Sequence, residues 1–417
     1  MRPWLMPIQD NIEFLMDGKK NTMSMFFEDG TIQVEALTYI RGRSISNAFV
    51  IIDEAQNLTI HELKTIITRV GENTKIILTG DIEQKAELSL LENYSSILKS
   101  DILEPLDAYM SKGSNSFKTE NLVQAPIGKI NGKTWMVPLN AFPFVMHVNL
   151  DLVKKAGFSK PPSSWSELKE QAVAISNLGD GISGIGMPLS SQPPSNGPIL
   201  TFLPLLYSNG GRIMDGTSPN FDNAKVVETL NFINDLKTSG AMAPGFASRT
   251  GGVDLEEFIA GRSGFLISPG VHASAVATRN PDLNYDLVRV PTNGVNAYRV
   301  HGWELGIASK SKHKEEAWKF IDFLLSKEVN AKVAKASRAL PGNLDSLDLV
   351  SGGATPVMKT QMNILSGDEP VEELRQAPSA VASWSIMTEE MQSMLNGDQS
   401  AKEAASKVQS RWLDLIS

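Results

Sequence analysis

Two apolar runs, each ending in polar residues and separated by one amphipathic segment, constrain the fold of the first part of the chain most strongly. The run FVII ends at Asp53 and Glu54, and the run KIIL ends in the letters TGD. Between them, TIHELKTIITRVG has a helical pattern, with Thr59 as a candidate N-cap and Gly71 as the stop. A strand, a helix and a second strand joined by short turns predict a parallel βαβ unit.

Composition excludes several classes of site. The chain has 417 residues and no cysteine, which rules out disulfides, zinc–thiolate sites and iron–sulfur clusters. Its net charge of -8 argues against a basic nucleic-acid surface, so we expect no nucleic-acid partner. The sequence contains no run of about 18 apolar residues, so we expect no membrane-spanning helix. We also expect no metal site and no cofactor.

The character of the sequence changes near residue 99. The letters IGKINGKTWMVPLNAFPFVMHVN predict a hairpin turning at Asn131 and Gly132, followed by a long apolar strand. Further on, Ser164 opens an amphipathic helix with Glu167 in capping-box register. The segments NAKVVETLNFINDLKTSG, KHKEEAWKFIDFLLSKEVNAKVAKAS and SAKEAASKVQSRWLDLIS predict three more helices, and short apolar runs between them predict strands.

Residues 1–82 resemble the PhoH-like ATPases, a branch of the P-loop helicase-like fold. The segments that carry the resemblance are RPW, ALTYIRGRSISNAFVIIDEAQNLT and ELKTIITRVGENTKIILTGD. The resemblance implies that Asp53 and Glu54 serve Mg²⁺ and the attacking water. It also implies that Gln56 and Asp81 sense the phosphate and that Arg69 reaches a neighbouring subunit's nucleotide.

The phosphate-binding motif G-x-x-x-x-G-K-[ST] of such ATPases is missing from the sequence. The nearest match, GKINGKT, has three residues between its glycines where four are needed. Without that loop no backbone cradle holds the β- and γ-phosphates. We therefore interpret the five acidic, amide and arginine side chains as the relic of a nucleotide-binding site. ATP and Mg²⁺ are expected ligands only under the alternative hypothesis of an ATP-binding protein.

Residues 99–417 resemble the extracellular solute-binding proteins of ABC importers, a family that carries sugars and related solutes. Its landmarks follow in order as ILEPLDAYM, INGKTWMVPLNAFPFVMHVNLDLVKKAG, PPSSWSEL, YSNGGRIMD, LEEFIAGRSGFLISPG and HGWELGIASKSKHKEEAWKFIDFL. The resemblance implies a non-enzymatic receptor that closes two lobes on a small molecule, and an ABC permease as its partner.

A sugar receptor needs aromatic plates and a few polar groups around a cleft. Loop aromatics are stronger candidates than aromatics on amphipathic helices, which normally pack in cores. Trp303 follows a glycine in HGWELG, and Trp384 stands in the loop-like APSAVASWS. The full set of predicted solute-binding residues is Asn140, Phe142, Ser191, Gln192, His272, Gly302, Trp303 and Trp384.

The expected fold is α/β: a periplasmic-binding-protein-like type II two-lobed fold, lacking the N-terminal part of lobe one and preceded by a partial P-loop-type βαβ unit. We expect residues 1–98 to form the partial PhoH-like ATPase fragment, whose Walker-B strand is the run FVII before Asp53 and Glu54. Lobe one would take residues 99–148 and 295–345, lobe two residues 149–294, and the C-terminal helices residues 355–417. We interpret the chain as a chimera with its junction in residues 82–98.

The leading hypothesis is a carbohydrate-binding protein of an ABC transporter, with a sugar or polyol derivative as its solute. The alternatives are an ATP-binding protein acting through the N-terminal segment and a fusion of two fragments with neither function. Family resemblance predicts a periplasmic or extracellular location. The N-terminal letters MRPWLMPIQDNIEFLMDGKK show no signal-peptide pattern, so the chain as written is expected in the cytoplasm.

Overall fold

The chain divides into two compact units, residues 1–81 and residues 82–417. The predicted junction at residues 82–98 lies outside the described residues, and the assignment of lobes stays a prediction. The computed structural model describes residues 29, 31–33, 45–52, 74–78, 103–124, 128–130, 132–179, 181–191, 197–216, 218–337, 339–351, 356–373, 377 and 379–417.

The first unit contains a pair of parallel strands, β1 (Phe49–Ile52) and β2 (Lys75–Leu78). They pair residue for residue from Phe49 opposite Lys75 to Ile52 opposite Leu78. Ile52 is buried whereas Ile51 is 62% exposed, as expected when successive side chains point to opposite faces. The parallel pairing confirms the strands of the predicted βαβ unit; the helix predicted between them lies outside the described residues.

The second unit is built on a central mixed sheet with the strand order β14-β11-β5-β9-β6, in which β10 and β13 also pair with β5. A separate antiparallel sheet has the order β12-β4-β3, and β7 pairs with β8. The strands are β3 (Gly128–Ile130), β4 (Lys133–Pro138), β5 (Asn140–Asn149), β6 (Ser183–Ile185), β7 (Met214–Asp215), β8 (Ser218–Pro219), β9 (Ser263–Pro269), β10 (Tyr285–Val288), β11 (Ala297–His301), β12 (Glu304–Gly306), β13 (Leu340–Pro341) and β14 (Glu369–Val371).

Helices cover both faces of this sheet. They are α1 (Asp107–Met110), α2 (Leu150–Lys155), α3 (Trp165–Ser176), α4 (Leu203–Ser208), α5 (Ala224–Thr238), α6 (Gly251–Ile259), α7 (Ala273–Arg279), α8 (Lys314–Leu325), α9 (Lys327–Ser337), α10 (Leu347–Ser351), α11 (Pro356–Gly367), α12 (Ala380–Asn396) and α13 (Ala401–Ile416). A π-helical turn, Pro198–Phe202, leads into α4.

Two cores follow from the alternation of side chains along β5. Phe144, Met146 and Val148 pack into a large core with α3, α4, α5, α12 and α13. Val145, on the opposite face, packs with Tyr298 and residues of α11. Because every residue of β5 is buried, the strand has no solvent face, which is typical of a central strand covered on both sides.

Local sequence signals define several helix ends. The Ser164 hydroxyl accepts a hydrogen bond from the Glu167 backbone N–H at 3.2 Å, as predicted for an N-cap. The reciprocal half of the predicted capping box differs, because the Glu167 carboxylate accepts from the N–H and hydroxyl of Ser163 instead. A complete capping box stands at the start of α13, between Ser400 and Glu403.

The predicted hairpin is present, with Gly132 at φ 75° between β3 and β4. The single long helix predicted over KHKEEAWKFIDFLLSKEVNAKVAKAS is wrong: it is two helices, α8 and α9. Ser326 between them has an extended ψ of 146°, which ends the first helix. Its hydroxyl donates to the carbonyl of Phe323 at 2.7 Å, a local bond that competes with helix continuation.

Candidate solute-binding site

The ladder between β5 and β11 forms the centre of the candidate site. Phe142 lies directly opposite His301 across this ladder. Because side chains alternate along each strand, Phe142 and Phe144 share one face with Arg299 and His301. We call these four residues the site face. All four are buried, and two of them carry nitrogen donors within an aromatic environment.

The site face is a continuous stack of planar groups. The ring centroids of Phe142 and His301 are 5.2 Å apart, and those of Phe144 and His301 are 5.9 Å apart. The Arg299 guanidinium lies 4.6 Å from the centre of the Phe144 ring. A desolvated cation over an aromatic ring gains about 2 kcal/mol, so the stack favours a fixed arginine.

The chain turn after β11 places the Trp303 backbone beside Leu139 and Asn140, at the start of β5. The Trp303 backbone N–H donates to Asn140 Oδ1 at 2.8 Å, and the Trp303 carbonyl accepts from the backbone N–H of Leu139 at 2.8 Å. A Cβ atom at Gly302 would collide with the carbonyl oxygen of Asn140, so glycine is needed at this close approach. The structure thus brings together four of the eight predicted residues: Asn140, Phe142, Gly302 and Trp303.

Asn140 is 1% exposed, and its side-chain oxygen binds protein backbone. In this structure the residue therefore holds the turn that carries Trp303. Trp303 itself is half-buried, whereas the other three are buried. Of the four grouped residues, Trp303 is the one best placed to contact a solute.

Below the stack, the Arg299 guanidinium has a buried counter-charge. Its Nη2 lies 3.2 Å from a carboxylate oxygen of Glu372, and both side chains are at most 4% exposed. No described residue accepts a hydrogen bond from Arg299 Nε or Nη1. Tyr207, on α4, is fully buried nearby, and burial together with the Glu373 carboxylate raises its pKa well above the usual value. Tyr207 therefore keeps its proton at physiological pH.

The predicted loop residues near 191 are described only in part. Ser191 is exposed, and Gln192 lies outside the described residues. The segment leading to Ser191 is fastened to the start of α6, since the Ser190 N–H donates to the carbonyl of Arg249 at 3.0 Å.

Arg249 also forms a second buried ionic cluster. Its Nε donates to Asp254 Oδ1 at 2.6 Å, and its Nη2 lies 2.5 Å from a carboxylate oxygen of Glu257. Burial raises the pKa of Asp254 to about 6, although the Arg249 guanidinium opposes this shift. A side chain at Gly186 would collide with Asp254, so the cluster is packed directly against the segment that leads to Ser191.

His272 ends the short turn Gly270–His272 that follows β9 and is half-buried. Gly270 of this turn lies against Gln361 of α11, which covers the face of the sheet opposite to the site face. Burial, and then the nearby His272, lowers the pKa of His147 to about 3. His272 is therefore close to His147 on the opposite face, which we call the core face.

Trp384 does not lie in a loop, and that expectation is wrong. The helix α12 begins at Ala380, directly after Ser379 with its left-handed φ of 53°. Trp384 is in the first turns of this helix, is 1% exposed, and belongs to the large core with Met387 and Met391. Its indole packs against protein on all sides, so loop exposure no longer supports a solute contact.

The predicted nucleotide-binding side chains, Asp53, Glu54, Gln56, Arg69 and Asp81, lie outside the described residues. Their roles stay as the resemblance implies. Within the described part of the chain, no group of three or more histidine, aspartate or glutamate side chains is arranged to hold a metal ion.

Sequence reasoning missed Phe144, Arg299, His301 and Glu372. One signal was available for Arg299 and His301: alternation in AYRVHGW places both on the same face of a strand that runs into Trp303. A charged residue inside a short apolar strand indicates a buried partner. No pattern in the sequence pointed to Glu372, some 70 residues further along.

Two family models match the chain. A PhoH-like protein model matches residues 1–130, and a bacterial extracellular solute-binding protein model matches residues 76–331, which is more than half of the chain. The chain belongs to the bacterial extracellular solute-binding protein family. It is a chimera in which a PhoH-like segment precedes the solute-binding segment, and the two matches overlap over residues 76–130.

Individual relatives show the same division. Protein PhoH2 of Bacillus subtilis is 60% identical over 86 residues, which are 20% of this chain and 20% of PhoH2. A binding protein of Brucella abortus is 29% identical over 274 residues, which are 64% of this chain and 65% of that protein. The chain thus matches less than two thirds of the length of either relative.

Solved structures confirm the type II two-lobed fold. A solute-binding protein of Thermotoga lettingae, bound with α-D-tagatose, has a TM-score of 0.69 at 18% identity. The match covers 90% of this chain and 100% of the Thermotoga chain. The GacH receptor of Streptomyces glaucescens, studied with acarbose, has a TM-score of 0.66 at 20% identity. The match covers 89% of this chain and 99% of the GacH chain. At this identity the likeness shows the fold alone.

Proposed function

We propose that this solute-binding protein takes a carbohydrate-like solute in an inter-lobe cleft, with Trp303 in one wall and the buried site face supporting that wall. The observation that carries the proposal is the half-buried Trp303, which follows β11 two residues after His301, a member of the stack with Phe142 and Phe144. Flat rings accept the apolar faces of a sugar, and a few polar groups between them orient its hydroxyls. Proteins of the same fold bind tagatose, acarbose and maltose, which supports the same solute class here.

The proposed working partner is an ABC permease, and the proposed location is the periplasm or the cell exterior. Both rest on membership of the solute-binding family. Among the described residues, no helix is long and apolar enough to cross a membrane.

The test is isothermal titration of the full chain with D-tagatose, maltose and acarbose. We expect heat of binding for at least one of these sugars, and we expect Trp303→Ala to weaken it by about 1–3 kcal/mol, as for the loss of a buried aromatic contact. Phe323→Ala is the matched control, because Phe323 is an aromatic residue of α8 that is 55% exposed. No heat with any of the three sugars, or equal affinities of both variants, would contradict the proposal.

We further propose that the chain does not hydrolyse ATP. The 417 residues contain no G-x-x-x-x-G-K-[ST] motif to hold the phosphates, although the N-terminal segment is similar to PhoH2. Magnesium-dependent release of phosphate from ATP is the measurement, with Glu54→Gln as the control. A rate that this substitution abolishes would establish the alternative function.

A further inference from the structure

The acidic segment 368–373, between α11 and α12, is tied to several elements at once, and we call it the crossing segment. Asp368 pairs with Arg289 at 2.5 Å, and Glu369 pairs with Arg212. The two carboxylate oxygens of Glu373 accept from consecutive backbone N–H groups after α4, at 3.0 and 3.2 Å. The fourth acid, Glu372, pairs with Arg299 of β11.

Of these ties, the one between Glu372 and Arg299 is the most buried. The two side chains are 1% and 4% exposed, whereas Glu369 is 56% exposed and Arg289 is 47% exposed. Exposed ion pairs contribute little because water and salt screen them, but a buried pair loses its whole compensation if one partner is removed. We call the pair of Glu372 and Arg299 the inner pair. It adds a buried side-chain contact between the crossing segment and β11 to the parallel backbone pairing of β14 with β11.

The inner pair is also the one that touches the candidate site. Arg299 lies over the Phe144 ring, Phe144 contacts His301, and His301 contacts Phe142. Two residues after His301, the backbone N–H of Trp303 is held by Asn140. A series of side-chain contacts thus runs from Glu372 to His301, two residues before Trp303 along the chain.

Charge argues against a direct contact between Arg299 and an anionic solute. Arg299 and Arg212 are balanced by Glu372 and Glu369, and Glu373 adds a further carboxyl group beside them. A site with balanced charge offers no excess positive potential to an anion. The pair is better placed to support the wall of the site than to bind the solute itself.

We propose that Arg299 and Glu372 are a positioning pair: their ion pair fixes the stack on β11 and so holds Trp303 against Asn140. The relevance to solute binding rests on the proposed function, but the positioning itself is measurable without a solute. Failure of the sugar titrations would therefore leave this test unaffected.

The test is hydrogen exchange, read by mass spectrometry, on the full chain and on its Arg299→Met and Glu372→Gln variants. The Trp303 amide exchanges only when its bond to Asn140 opens, so it reports the position of the site wall. We expect Arg299→Met to speed exchange in a peptide spanning residues 298–305 by about tenfold or more, with less than about a twofold change in α5. Glu372→Gln keeps the side-chain shape, so it tests the same pair even if Arg299→Met fails to fold. We expect a smaller increase in the exchange rate of the same peptide in this variant.

Arg279→Met is the matched control, since Arg279 pairs with Glu256 on the surface at 48% exposure. It should leave residues 298–305 at the wild-type rate. Arg299→Lys should restore part of the protection, because it keeps the charge opposite Glu372. Unchanged exchange at residues 298–305 in both site variants, or acceleration equal to that of α5, would overturn the proposal and leave the pair a general stabilising contact.

Discussion

Both faces of β5 are buried, but the ionisable side chains on the two faces differ in their charge. On the site face, Arg299 of the neighbouring strand forms an ion pair with Glu372 at 3.2 Å. On the core face, His147 has a pKa of about 3, lowered by burial and then by His272, so its ring is neutral. Arginine and glutamate thus form an ion pair on one face of β5, whereas the histidine of the other face is neutral.

The difference follows from the chemistry of the two side chains. A guanidinium cannot lose its proton in a protein, so a buried arginine requires a nearby acid. An imidazole can lose its proton at little cost, so a buried histidine can become neutral instead. Keeping an arginine where a neutral side chain could pack suggests a role for the site face beyond filling space, and three measurements bear on this contrast.

The largest expected effect is on the site face. Glu372→Ala removes the counter-charge of Arg299 and should lower the free energy of unfolding by about 3–5 kcal/mol, as for other broken buried pairs. Urea unfolding followed by tryptophan fluorescence measures this, since all of the seven tryptophans except Trp4 lie in the second unit. Glu256→Ala, which breaks an ion pair that is 54% exposed on the glutamate side, should cost less than about 1 kcal/mol. Equal losses in the two variants would remove the contrast.

The second effect is a pH dependence from the core face. The folded pKa of His147 is about 3 and its ordinary value is 6.5, so its contribution to stability is complete above pH 6.5 and is lost as pH falls toward 3. Between pH 8 and pH 5 this amounts to about 2 kcal/mol. His147→Leu should flatten the profile by that amount, whereas His313→Leu, at an exposed position, should not. Parallel profiles of wild type and His147→Leu would show that the ring is charged in the fold.

The smallest effect comes from Asp254 in α6, the helix whose Phe258 meets the His147 ring edge-on. Burial raises the pKa of Asp254 from 3.8 to about 6, so its contribution is greatest below pH 3.8 and is lost as pH rises through 6. Between pH 5 and pH 8 the loss is about 1 kcal/mol, opposite in sign to that of His147. Asp254→Asn should therefore steepen the fall in stability below pH 8, and the exposed Asp235→Asn should not. A shallower profile for Asp254→Asn would reverse the assigned shift.

Much of the local structure could be predicted from the sequence because neighbouring residues decide it. The apolar runs gave β1, β2 and β5, the letters NG gave the hairpin, and Ser164 gave a helix start. Four of the eight predicted site residues came together because they flank the ends of two strands that pair. The break at Ser326 was missed because helical periodicity continues through it. The early start of α12 was missed because the letters APSAVASWS look like a loop.

The sequence by itself determined that the chain joins segments of two families, because the motifs of each family follow one another closely and in order along the chain. Only the tertiary structure decided which candidate aromatics share a site. Trp303 and Trp384 look alike in sequence, yet one is half-buried directly after β11 and the other is 1% exposed in the core. Likewise, the pairing of Arg299 with Glu372 joins residues far apart in the chain, and only burial of both makes each necessary to the other.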